Sequence, residues 1–186
     1  MDYFVDIRLM PDPEFSGSTL MNVLFNKLHK GLVTLNTTTI GICFPEYSIE
    51  KKELGNKLRI HGSAGELDQL LCIPWLTGMR DHLMCSEITK IPANTTAVCV
   101  QRVQVKSNVE RIRRRYMKRH NLSEEEAKLR IPATFEKRLN LPYLVVNSQS
   151  TQQKFRLFIH QEELAVHRQG KFNQYGLSKQ ATVHYF

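Results

Sequence analysis

Apolar and polar residues alternate along residues 3–9, YFVDIRL, with Val5, Ile7 and Leu9 on one side and Asp6 and Arg8 on the other. A period of two predicts a half-buried strand. After a loop punctuated by Pro11 and Pro13 the period changes. Leu20, Val23, Leu24, Leu28 and Leu32 recur at helical spacing, and Ser18 or Thr19 is placed to cap that helix. TIGICF at 39–44 reads as a buried strand stopped by Pro45, and KLRIH at 57–61 alternates again. Ser63 and Glu66 have the S-x-x-E spacing of a capping box, with Leu67, Leu70 and Leu71 as the apolar face of a second helix. Residues 80–91 are a weaker strand candidate.

The turn-rich stretch 91–96, IPANTT, is the best candidate for a domain boundary. Beyond it AVCVQRVQV alternates, with Val100, Arg102 and Gln104 on one face and Val103 and Val105 on the other. Ser107 and Glu110 form a further capping box opening a basic helix over about 108–120, and Ser123 and Glu126 form one for a short helix ending near Pro132. YLVVN, FRLFIH and ELAVH are strand-like, and YGLSK and TVHYF close the chain. The fold class is therefore α+β. The succession β-α-β-β-α-β predicts a ferredoxin-like domain over residues 1–94, the arrangement also used by RNA-recognition domains. Residues 95–186 are expected to form a second α+β domain carrying the basic helix.

With 186 residues, 41% of them hydrophobic and 24% charged, the chain can bury a core without disulfide or metal staples. No basic leader precedes an apolar stretch at the N-terminus, and no apolar run approaches the about 20 residues that span a bilayer. Cys43, Cys72, Cys85 and Cys99 lie 29, 13 and 14 apart, which fits neither a zinc ribbon nor a redox motif. Buried thiols in a reducing cytoplasm are expected, with no membrane contact.

Charge sharpens this picture. Of the net +8, residues 102–120 carry +7, from Arg102, Lys106, Arg111, Arg113, Arg114, Arg115, Lys118 and Arg119 against Glu110 alone. At 100° per residue, Arg111, Arg114, Arg115 and Lys118 fall within an arc of about 100°, with Val109, Ile112 and Tyr116 on the far side. Most charge runs are solvated faces, but those interleave both signs at i,i+4, and no acid lies between Arg111 and Asn121. A polyanion is the expected partner, nucleic acid first. Arg102 and Gln104 suit the edges of guanine and adenine, although an exposed strand face often carries such residues.

None of the seven histidines has metal-ligand spacing, so neither a metal nor another cofactor is expected. No nucleophile elbow is present. His29 lies near the end of the first helix, away from its apolar stripe, where a histidine is most often an ordinary surface residue. One histidine beside RNA nevertheless suffices for strand cleavage, because the ribose 2′-OH is itself the nucleophile.

Several long blocks, in order and nearly end to end, carry a resemblance: MDYFVDIRLMPDPEF, LMNVLFNKLH, QRVQVKSNVERIRRRYMKRHNLSEEEAKLRIP, NSQSTQQKFRLFI and YGLSK. They resemble the subtype I-F CRISPR repeat-processing endoribonucleases, the Csy branch of the Cas-six superfamily. The match is looser over 31–60 and 160–172. The resemblance implies a metal-independent RNase that recognises a repeat stem-loop and cuts at the 3′ base of the stem. It would leave a 2′,3′-cyclic phosphate and a 5′-hydroxyl, stay on the product hairpin and join the subunits of the interference complex. The resemblance places the catalytic histidine at His29, the serine that holds the 2′-OH at Ser148 and the orienting tyrosine at Tyr175. It places base readers at Arg102 and Gln104, the stacking aromatic at Phe155, and further RNA contacts at Ser107, Arg111, Arg114, Arg115, Lys118, Arg119, His120 and Ser150. Many relatives have a glycine-rich C-terminal loop, whereas YGLSKQATVHYF has one glycine. The rival expectations are a non-catalytic RNA-hairpin-binding protein and, third, a DNA-binding regulator.

Overall fold

The computed structural model describes residues 1–104, 109–132, 139–147 and 153–186. The chain divides into two compact units, Met1–Val103 with Leu141–Phe186, and Gln104–Asn140. The turn at 91–96 is where the chain passes from one sheet to the next, whereas the division by contacts falls at 103/104 and 140/141.

The first unit opens with β1 (Tyr3–Leu9), α1 (Gly17–Leu35), β2 (Gly41–Cys43), β3 (Lys57–Gly62), α2 (Ala64–Cys72), β4 (Leu83–Cys85) and β5 (Thr89–Lys90). The strands form one antiparallel sheet in the order β2-β3-β1-β4, with β5 also paired to β1. This is the ferredoxin-like order: the crossover through α1 leaves a space that β3 fills, and the crossover through α2 leaves one that β1 fills. The strand expected over 80–91 is broken. A 3-10 turn at Arg80–His82 precedes β4, and Ser86 then separates β4 from β5 by taking the Asp6 N–H on its hydroxyl, at 2.9 Å. Helix α1 begins two or three residues earlier than expected, because Ser16 is its cap and accepts from Thr19 N. The capping box of Ser63 and Glu66 on α2 is complete.

The same unit holds a second antiparallel sheet of β6 (Thr96–Val103), β7 (Tyr143–Asn147), β8 (Lys154–Leu164) and β9 (Val183–Tyr185), ordered β7-β8-β6-β9. The runs FRLFIH and ELAVH are not separate strands, since β8 continues through to Leu164 and pairs along the whole of Ala97–Val103. One core joins the two sheets. Leu24, Leu28, Ile7, Ile42 and Ile60 meet Val100, Val146, Leu157 and Ile159. Each such side chain contributes about 1.5–3 kcal/mol when fully buried. Just past the end of β2, at Phe44, the Gln161 amide imitates a neighbouring strand, accepting from Phe44 N at 2.9 Å and donating to Phe44 O at 3.0 Å.

Cys43 and Cys99 are buried as expected, but Cys72 and Cys85 are exposed, at the end of α2 and on the short strand β4. Burial pushes the Cys43 thiol up to about 12. Its neighbour His61 is fully enclosed, with Nε2 3.5 Å from Cys43 Sγ, and burial together with the Arg59 charge pushes it down to about 3.

The second unit carries α3 (Val109–His120) and α4 (Glu124–Arg130). Asn121, in the left-handed region at φ 51°, ends α3, and Leu122 N donates back to Met117 O. That is a Schellman closure with Asn in the place usually held by Gly. Ser123 and Glu126 form the expected capping box on α4.

Candidate active site

Helix α1 packs Leu20, Met21, Leu24, Phe25, Leu28 and Leu32 into the core. It lies close to Trp75 at Gly31, where an added Cβ would stand 3.2 Å from the indole. His29 is left half-buried on the helix flank, with Nδ1 2.8 Å from the Gln174 carbonyl oxygen. A carbonyl only accepts, so Nδ1 carries the proton and the neutral ring keeps its lone pair on Nε2. The Tyr175 ring lies over His29 at 4.0 Å and 14°, and also runs parallel to Phe25 at 5.9 Å and 4°. Stacking fixes the plane of the imidazole, and the Gln174 bond fixes its rotation within that plane.

The turn that supplies both partners is itself closed. Asn173 Oδ1 accepts from Tyr175 N at 2.8 Å, and Gly176 N donates to Asn173 O at 2.8 Å. Gly176 has φ 71°, where a side chain is strained, and an added Cβ would lie 2.9 Å from Ile42 Cγ2. Its carbonyl accepts from Ile42 N at 3.0 Å, which ties the turn to β2. A single glycine at the residue after Tyr175 therefore sets this conformation.

Arg102 and Phe155 also come together. Both lie on the inner face of the second sheet near its end, half-buried, with the Arg102 guanidinium 5.1 Å from the Phe155 ring centre. Phe155 touches the margin of the core and is only partly covered. Gln104 does not share the strand face with Arg102: β6 ends at Val103, and Gln104 is exposed just beyond it. Ser107, Ser148 and Ser150 lie outside the described residues.

On α3 the expected division between faces is present. Arg111, Arg114, Arg115, Lys118, Arg119 and His120 are exposed, while Val109 is buried and Ile112 and Tyr116 are partly covered. Arg113 belongs to the other face, where its Nε donates to the Ile131 carbonyl at 2.8 Å and ties α3 to the end of α4. His120 packs against Tyr116 one turn back, at 4.4 Å between ring centres. Tyr116 Oη in turn accepts from Arg130 at 3.2 Å.

The family model described as CRISPR-associated protein (Cas_Csy4) matches residues 4–186. The chain belongs to the Csy4 family. A "CRISPR-associated endonuclease Cas6/Csy4" of Pseudomonas aeruginosa (strain UCBPP-PA14) is 51% identical over 187 residues, covering 100% of both chains. A protein of the same description from Escherichia coli (strain UTI89 / UPEC) is 42% identical, again over 100% of both.

Two residues of this Csy4-family chain that the sequence analysis missed tie α1 to β7. Asn22 Oδ1 accepts from Val145 N at 2.8 Å, Asn26 Nδ2 donates to Val145 O at 2.8 Å, and Asn26 Oδ1 accepts from Asn147 N at 2.9 Å. The pair completes the open edge of β7 as a partner strand would, and it sits within two turns of His29 on α1. Asparagine is a poor residue for a helix interior, so two of them one turn apart were a legible signal of side-chain bonding. Among the described residues no group of three or more His, Cys, Asp or Glu is placed to hold a metal ion. No helix among them is long and apolar enough to cross a membrane.

Proposed function

We propose that the protein binds the stem-loop of CRISPR repeat RNA and cuts it at the 3′ base of the stem by attack of the ribose 2′-OH. As a member of its family the protein is a CRISPR-associated endonuclease. The observation that carries the mechanism is the state of His29, whose Nδ1 proton is committed to Gln174 and whose ring is clamped by Tyr175. Nε2 then offers an oriented lone pair, which is what removal of the 2′-OH proton requires.

In this reading Nε2 takes the 2′-OH proton, the 2′-oxygen forms a bond to the adjacent phosphorus, and the bond to the 5′-oxygen breaks. A 2′,3′-cyclic phosphate and a 5′-hydroxyl result, and the proton on His29 is available to the departing oxygen. Ser148 restrains the ribose. The exposed stripe of α3 grips the stem phosphates, Arg102 and Gln104 read base pairs, Phe155 stacks at the foot of the stem, and Ser107, His120 and Ser150 add contacts. Most RNA contacts thus come from residues 95–186. The protein works without a metal cofactor in the cytoplasm, keeps its product hairpin, and docks with it onto subunits of the subtype I-F interference complex.

The test is cleavage of the cognate repeat hairpin in excess EDTA, beside an RNA with a single 2′-deoxy at the cut site. Cutting of the first alone, ending in a cyclic phosphate, supports the reading. Tight binding with neither RNA cut would leave a hairpin-binding module and remove the roles given to His29 and Ser148.

A further inference from the structure

The peptide unit between Gln174 and Tyr175 is held at both ends. Its carbonyl, from Gln174, accepts the Nδ1 proton of His29 at 2.8 Å. Its N–H, from Tyr175, points the opposite way in the same plane and donates to Asn173 Oδ1 at 2.8 Å. Asn173 closes the rest of the turn as well. Its Oδ1 also accepts from Leu177 N at 3.3 Å, its N–H donates to Leu177 O at 2.9 Å, and its carbonyl accepts from Gly176 N at 2.8 Å. Asparagine in the first place and glycine in the fourth suit a β-turn, and an asparagine oxygen that bonds the N–H two residues on makes an Asx turn. The chain on either side is anchored separately. Phe172 is buried and its N–H donates to Thr38 O at 2.8 Å, while Leu177 is buried and Ser178 N donates to Val100 O at 2.9 Å. Asn173 is itself exposed, so its side chain can be changed without opening the core.

We infer that Asn173 is a positioning residue for His29. The inference deepens the reading of His29 given above and rests on it. By holding the Tyr175 N–H, Asn173 keeps the Gln174 carbonyl turned towards Nδ1. The imidazole proton then stays on Nδ1 and the lone pair on Nε2. The same bond seats Tyr175 over the ring, so both groups that set His29 depend on one side chain. Without Oδ1 the central peptide of the turn is free to rotate, and the carbonyl leaves Nδ1 for part of the time. A neutral ring then has nothing to keep its proton on that nitrogen. In a fraction of molecules the proton sits on Nε2, which no longer has a lone pair to accept the 2′-OH proton. Asn173 needs no contact with RNA for this, since it acts through the backbone of its own turn.

The experiment compares the wild type with Asn173→Ala and with Asn173→Asp, which keeps the accepting oxygen, in two measurements. The first is nitrogen NMR of the His29 imidazole in the RNA-free protein, in alkaline buffer, which reports the nitrogen that holds the proton. The wild type and Asn173→Asp should show it on Nδ1, and Asn173→Ala should show a mixture of the two tautomers. The second is single-turnover cleavage of the repeat hairpin at saturating protein. The rate should fall about 3- to 10-fold in Asn173→Ala, the weight of one hydrogen bond, and return in Asn173→Asp. Hairpin affinity and the thermal midpoint should not move. The proposal is overturned if Asn173→Ala keeps the Nδ1 tautomer, if its rate falls only in step with its thermal midpoint, or if Asn173→Asp restores neither reading. It is also overturned if Asn173→Ala shifts the tautomer yet cuts at the wild-type rate while His29→Ala is inactive. His29→Ala keeps the two readings separable. If that variant cuts at the wild-type rate, the role of His29 as base fails, whereas a tautomer shift in Asn173→Ala, read without RNA, still supports the position given to Asn173.

Discussion

His29 is set by Gln174, 145 residues further along the chain, and by Tyr175 beside it, with Asn22 and Asn26 holding the edge of β7 nearby. The basic stripe of α3 is set by residues within 12 consecutive positions, Val109–His120. The difference teaches how each region fails. If His29 is the proposed base, one group does one task in one orientation, and its loss removes the chemistry. If α3 is the proposed grip on RNA, several like charges share one task, and the loss of one lowers affinity by a fraction.

The first way to break the comparison is His29→Ala. Single-turnover cleavage of the repeat hairpin should fall by about 10²- to 10⁴-fold, the usual contribution of a general base. Hairpin affinity should stay within a few-fold, and a large affinity loss would show that His29 also binds. Arg115→Ala should do the reverse. Affinity should drop about tenfold and the slope of log affinity against log salt should flatten by about 0.9, while cleavage at saturating protein is retained. If Arg115→Ala slowed the saturated reaction as much as it weakened binding, the separation of grip from chemistry would be wrong.

Acid should separate the two units physically. His61 titrates at about 3 in the fold and near its ordinary 6.5 when unfolded, so the unfolded chain binds the extra proton between those values. The stability it gives is complete above 6.5 and is lost as pH falls towards 3, at up to about 1.4 kcal/mol per pH unit. Asp6 acts in the same direction at the acid end. Burial raises its carboxyl, but the hydrogen bonds and charge of Arg59 outweigh that and hold it below its ordinary value. Urea midpoints at pH 7 and pH 5 should therefore differ, and His61→Gln should narrow the gap. The described part of the second unit has no buried titratable side chain, so hydrogen exchange on α3 should follow pH less than exchange on β3. The smallest effect is within α3. Arg113→Ala should destabilise the α3–α4 pair by about 1 kcal/mol through its bond to Ile131, whereas Arg114→Ala should leave stability unchanged and weaken only RNA binding.

Much of this was legible beforehand because it is local. Alternation in YFVDIRL and KLRIH marked β1 and β3, and S-x-x-E spacing marked the starts of α2 and α4. Gln104 was misplaced because alternation continues through it, while the ladder stops at Val103 opposite Phe158 although β8 itself extends to Lys154. β4 and β5 were blurred into one candidate because a serine hydroxyl replaced a backbone group in the ladder, and period-two patterning is blind to that. Cys72 and Cys85 were expected to be buried on cysteine's general habit, without knowledge of which helix end or strand faced water.

The sequence by itself determined the element types, the ferredoxin-like succession, the family and the charged face of α3, since these follow from neighbours in the chain and from blocks shared with relatives. Only the tertiary structure decided that His29 carries its proton on Nδ1, that a turn with positive φ at Gly176 supplies its partner, and that two asparagines complete the open edge of β7. The physical reason is range. Periodicity and caps report what a residue does with positions three or four away, whereas a tautomer or a strand edge completed by side chains is set by groups that meet only after the chain has closed on itself.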